Sequence, residues 1–108
     1  MNSNLKILRD VRKTATKRIL FLPHAVKQMS RPERMISVAE VSAAVRKGEV
    51  IEDYPEDARG HSCLVLGMGK NRPIHVVCSP RPDYLAIITA YLPSDKEWES
   101  NFRKRRPS

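Results

Sequence analysis

Arg72-Pro73-Ile74-His75-Val76-Val77-Cys78-Ser79 reads as a β-strand. β-Branched residues dominate it, Pro73 stands where a strand can begin, and Pro80 closes it. Side chains alternate across a strand. That places His75, Val77 and Ser79 on the more polar face and Ile74, Val76 and Cys78 on the other. Working outward, Gly69-Lys70-Asn71 is a turn, and Ser62 to Met68 is the strand before it. Glu49-Val50-Ile51-Glu52-Asp53-Tyr54 is an earlier strand, ended by Pro55. On the other side, Pro80-Arg81-Pro82-Asp83 turns the chain into a longer strand from Tyr84 to Leu92. Links this short favour hairpins, so the expected sheet is a four-stranded antiparallel meander.

Helices flank this block. In residues 4–17, Leu5, Leu8, Val11, Ala15 and Ile19 recur at three and four, with the basic residues largely off that stripe. Such a basic amphipathic helix packs on its own domain or binds nucleic acid, membrane or a partner. Ile19-Leu20-Phe21-Leu22 is a brief strand or the end of that helix. Pro23 suits the first position of a second helix, from His24 to about Met29. Ser37 and Glu40 form a capping box for a third, with Val38, Val41 and Val45 on one side and Gly48 as its stop. A second box, Ser94-Asp95-Lys96-Glu97, predicts a short C-terminal helix with Trp98 and Phe102 facing the sheet. The whole reads as one α+β domain over residues 1–108: N-terminal helices packed on a four-stranded antiparallel sheet, then a short C-terminal helix.

The net charge of +8 sits mostly at the ends. Residues 1–18 hold six basic residues against Asp10 alone, and the tail is Arg103-Lys104-Arg105-Arg106. Residues 19–102 carry ten basic and eleven acidic residues, yet no acid falls between Ala58 and Pro82. A polyanion is the partner such a distribution attracts; a frayed, solubilising tail is the plainer reading of the last residues. Apolar runs such as Ile19 to Pro23 fall far short of the ~20 residues of a membrane span, and no secretory core follows the basic start. A cytoplasmic location is expected, although a basic, acid-poor start also suits organelle import. Cys63 and Cys78 read as reduced core residues.

Several ordered pieces resemble a small bacterial family of unknown function, often encoded beside MqsA-type zinc-finger antitoxins and thought to belong to the RelE-like toxin superfamily. They are Pro23-His24-Ala25, Gly48-Glu49-Val50-Ile51-Glu52-Asp53-Tyr54-Pro55, Ser62-Cys63-Leu64-Val65-Leu66-Gly67, Arg72-Pro73-Ile74-His75-Val76-Val77 and Ile87-Ile88-Thr89-Ala90-Tyr91-Leu92-Pro93. The likeness covers about residues 20–95. It departs at Gln28, where the family tends to have arginine, and at Ser30-Arg31-Pro32-Glu33-Arg34, which is longer by about two residues. The resemblance implies a RelE-like fold, a metal-independent endoribonuclease toxin acting on RNA, on or off the ribosome, and a small antitoxin protein as partner.

Cleavage by 2′-hydroxyl attack needs a base, a cation on the phosphate and an acid for the leaving oxygen. His24 opens a helix, Arg72 can grip phosphate with two donors, and His75 titrates near neutrality. Thr89 and Tyr91, two apart, share a face. These five are the expected catalytic set. Lys27, Arg31, Arg34, Lys70, Arg81, Arg103, Lys104, Arg105 and Arg106 are the expected RNA contacts. The plainer reading makes His75 a satisfied structural histidine, Arg72 a solvated turn residue and Tyr91 a core aromatic. The alternative function is a non-catalytic module binding RNA or protein. No metal or cofactor is expected: His61 and Cys63 would share a face, but His75 and Cys78 would point oppositely.

Overall fold

The computed structural model describes residues 3–107; Met1, Asn2 and Ser108, at the ends of the expected domain, lie outside them. Three helices and five strands follow in order: α1 (Ser3–Lys17), β1 (Ile19–Phe21), α2 (Pro23–Met29), α3 (Val38–Lys47), β2 (Glu49–Tyr54), β3 (Ser62–Met68), β4 (Pro73–Pro80) and β5 (Leu85–Tyr91).

The sheet corrects the expected meander. It has five strands in the order β1-β5-β4-β3-β2 and is mixed. The antiparallel hairpins of β2 to β5 are present, but β1 joins the far edge parallel to β5, with Ile19 opposite Leu85 and Phe21 opposite Ile87. Backbone bonds from Leu85 to Arg18 and from Leu22 to Ile87 flank the pairing. Three residues are too few to display a period, and their partner lies at the other end of the chain. Only the assembled sheet edge selects them as a strand.

The helices cover one face. Cys63, Val65, Ile74, Val76 and Cys78 meet Ile7, Val11, Val41 and Val45 in the main core. α1 buries Ile7, Val11, Thr14 and Ala15, so its core stripe runs through Ile7, and Leu5 stands outside at 58% exposure. α3 is capped reciprocally by Ser37 and Glu40 as expected, but Val38 faces outward and Ala44 packs in its place. A β-carbon on Gly67 would lie 2.5 Å from the Cα of Ala44, so only glycine lets α3 lie this close to β3.

The C-terminal helix is absent. After one turn, in which Trp98 N–H donates to the Ser94 carbonyl, the chain up to Arg106 runs as an irregular strap of turns and bends. Glu99 and Arg106 donate to the carbonyls of Lys104 and Glu97, and Trp98 bridges Arg105. Phe102 sits at φ 59°, in the left-handed region, and reverses the strap. The capping box lost to the sheet: the buried Trp98 and the arginines find their partners in the strap conformation.

Candidate functional site

The face opposite the helices carries two rows of side chains across the strands. Register aligns Glu49, Leu66, His75 and Tyr91 in one row and Glu52, Leu64, Val77 and Thr89 in the next. The strap crosses both. Arg103 pairs with Glu49 at 2.5 Å, and Arg105 grips Glu52 through two donors at 2.9 and 3.1 Å. The Arg105 guanidinium also lies 4.6 Å from the centre of the Trp98 ring. The tail, for which RNA contact was expected and fraying was the plainer reading, is fastened down through Arg103 and Arg105.

His75 lies beneath the strap and is fully buried. Its Nε2–H donates to the Phe102 carbonyl at 2.8 Å, which leaves Nδ1 to accept from the Tyr91 hydroxyl at 3.2 Å. Trp98 packs edge-on against the imidazole, with ring centres 4.4 Å apart. Burial holds the His75 pKa below its ordinary 6.5 and raises that of Tyr91. The unfolded chain therefore takes up a proton at His75 before the folded one does. Stability is complete above about pH 6.5 and falls as the pH drops toward the folded value. The His75 ring resonances are expected to titrate with a midpoint below 6.5 and to report the Nε2–H tautomer; a midpoint above 6.5 would contradict the burial of this ring.

Arg72 is held elsewhere. Its Nε and Nη2 donate to the two carboxylate oxygens of Glu40, each at 3.0 Å, and Nη2 also reaches the Met35 carbonyl at 3.1 Å. The same carboxylate accepts the backbone N–H groups of Ser37 and Lys70. The hydrogen bonds from Arg72 are the chief reason that the Glu40 carboxyl titrates at about 2. Glu40 ties α3, the loop before it and the β3–β4 turn together. Its capping-box spacing was legible; its long-range partners were not.

His24 is exposed on α2, whose Ala25 and Met29 belong to the helix-side core, so the sheet lies between His24 and His75. Thr89 is half-buried in the row beside Tyr91. Of the five expected catalytic residues, His75, Tyr91 and Thr89 share a face; His24 and Arg72 do not join them.

The expected RNA contacts divide in the same way. Lys27, Lys70 and Lys104 are exposed. Arg31 lies 3.8 Å from Glu33, and Arg34 is half-buried. Arg81 donates to the Ser79 hydroxyl and the Arg59 carbonyl, while Arg103, Arg105 and Arg106 anchor the strap to Glu49, Glu52 and the Asp95 carbonyl.

Absent from that set is the outer face of α1. Lys6, Arg9, Lys13 and Lys17 recur at three and four along it, all exposed. Among the described residues none of the four lies in an ion pair. Lys17 donates to the Pro82 carbonyl, and Lys13, Lys17 and Arg81 line a groove between α1 and the β4–β5 turn. The periodicity of these cations was a usable signal.

Residues 21–92 match the family model described as Domain of unknown function (DUF4258). The chain belongs to the DUF4258 family. Searches of curated proteins and of solved structures found no match. The DUF4258 match begins inside β1 and ends just past β5, so it takes in all five strands except the first two residues of β1. Both α1 and the strap lie outside it. Among the described residues no helix is long and apolar enough to cross a membrane. None of their His, Cys, Asp and Glu side chains form a group of three or more placed to hold a metal ion.

Proposed function

We propose that this chain is a non-catalytic RNA-binding module whose contact surface is the outward face of α1. The observation that carries the reading is the row of Lys6, Arg9, Lys13 and Lys17, exposed along a 15-residue helix whose one carboxylate is Asp10. At about 1.5 Å per residue the helix spans about 22 Å, enough to meet several backbone phosphates. Arg72, Arg103 and Arg105 are paired with Glu40, Glu49 and Glu52, whereas α1 presents four cations in one row outside any ion pair among the described residues, against the scattered Lys27, Lys70 and Lys104.

The RelE-like endoribonuclease toxin, with its antitoxin partner, is the competing reading. Its support is the His75–Tyr91 pair, where a buried imidazole meets a half-buried phenol. That chemistry also asks for His24 and Arg72 beside the same phosphate, and neither lies on that face. The binding module is the simpler account.

Fluorescence anisotropy with a single-stranded RNA, read across salt concentrations, tests the proposal. Four phosphate contacts give a slope of log K on log salt of about −3, or roughly a 50-fold loss between 50 and 200 mM. Changing Lys6, Arg9, Lys13 and Lys17 together to glutamine should remove most of that slope, while Arg59→Gln, in a residue already paired with Asp57, should leave it unchanged. An unaltered slope in the fourfold variant rejects α1 as the contact surface. RNA scission that is lost on changing His75 would favour the toxin instead.

A further inference from the structure

A cleft of about 560 Å³ opens where the strap turns beside the ends of β3 and β4. Leu66, Met68, Pro73 and Phe102 supply its apolar lining, and Lys47, Glu49 and Arg103 its charged rim. We propose that this cleft holds one unpaired base of a single-stranded RNA, with the adjoining phosphate at Lys47. The inference rests on the RNA-binding reading above and extends it from phosphate contact to base contact.

Three observations converge on this occupant. Leu66 and Met68 follow one another on the strap-bearing face, and Met68 is 60% exposed although it stands at the end of a strand that is otherwise buried. A thioether and a phenyl side chain on one cleft form a surface on which a flat aromatic ring can stack. Second, the cleft adjoins the basic helix. Arg12 of α1 donates to the carbonyl of Gly48, which lines the cleft, and Lys47 stands exposed beside it. Arg12 and Lys47 are thus the cations that stand between α1 and the cleft. Third, Glu49 is paired with Arg103 but stays 47% exposed, and a carboxylate offers more acceptor positions than that pair uses. It would repel a phosphate but accept an exocyclic amino group, which favours cytosine, adenine or guanine over uracil. Phe102 is held at the rim by the bond from His75 to its carbonyl, so the buried histidine fixes one wall of the cleft.

The test uses the full chain and a single-stranded oligoribonucleotide of about twelve residues carrying one 2-aminopurine, within the usual site size for strand binders. Binding is read by anisotropy and base stacking by the 2-aminopurine emission. The wild-type protein should bind and quench the emission several-fold. Met68→Ser changes an exposed side chain and should relieve the quenching and weaken binding by about tenfold, with the salt slope unaltered. Lys47→Gln should lower the slope by about 0.7, one single-strand phosphate contact. Phe102→Ala should also relieve the quenching, with circular dichroism confirming the fold. Salt-dependent binding with unchanged emission, or a Met68→Ser variant that behaves as wild type, overturns the cleft as a base site and leaves the α1 reading standing. A peptide-filled cleft would give that same result. Failure of the wild-type chain to bind any single-stranded RNA overturns both.

Discussion

Glu40→Ala is expected to lower the melting temperature by about 15 °C, equivalent to about 3 kcal/mol. The carboxylate is buried, closes the α3 capping box and accepts from Ser37, Lys70 and Arg72, so its loss unties three segments and orphans their donors. Thermal unfolding followed by circular dichroism measures it. Arg72→Ala should act in the same direction, because it leaves a buried carboxylate without its cation. This separates two roles for Arg72. A residue waiting for phosphate would leave stability unchanged when removed; a partner of Glu40 cannot. The pH dependence has a definite sign. The Glu40 carboxyl falls from an ordinary 4.5 to about 2 in the folded chain, so the unfolded chain binds the extra proton between those values. The stabilisation is complete above about pH 4.5 and is lost as the pH falls toward 2. Arg72→Ala should flatten that acid limb, and an unchanged limb would remove Glu40 as its source.

Trp98→Ala is expected to cost about 4 kcal/mol and to release the strap. Trp98 is 2% exposed, packs on His75 and carries Arg105 on its ring. The Arg103–Glu49 pair lies at the surface, and such pairs contribute at most about 1 kcal/mol each. Most of the fastening therefore lies in the indole. Urea denaturation gives the stability loss, and limited trypsin digestion gives the release. In the wild-type chain the bonds after Arg103, Lys104 and Arg105 should be cut slowly; in Trp98→Ala they should be cut at once, before the sheet is degraded. Rapid cutting of the wild-type tail would mean that it is free in solution and that the cover over His75 opens without help.

The burial of His75 also shows where sequence reasoning ran out. Alternation along β4 placed His75, Val77 and Ser79 on one face, and the register confirms that face. Nothing near His75 in sequence announces Phe102 or Trp98 as its cover. A histidine poised for catalysis and one tied to a carbonyl have the same local pattern. Arg72 is the same case: a basic residue at a hairpin reads as solvated until Glu40 appears beside it.

Sequence alone determined the features that depend on neighbours along the chain. These are the α3 capping box, Pro23 at the start of α2, the β2 to β5 hairpins and the row of cations on α1. Each follows from spacing or turn chemistry within a few residues. Tertiary structure alone decided the parallel seat of β1, the strap in place of a helix, and the pairing of Arg72, Arg103 and Arg105 with Glu40, Glu49 and Glu52. Those contacts join residues far apart in sequence, and a short local pattern carries no record of a partner that only the folded sheet brings near.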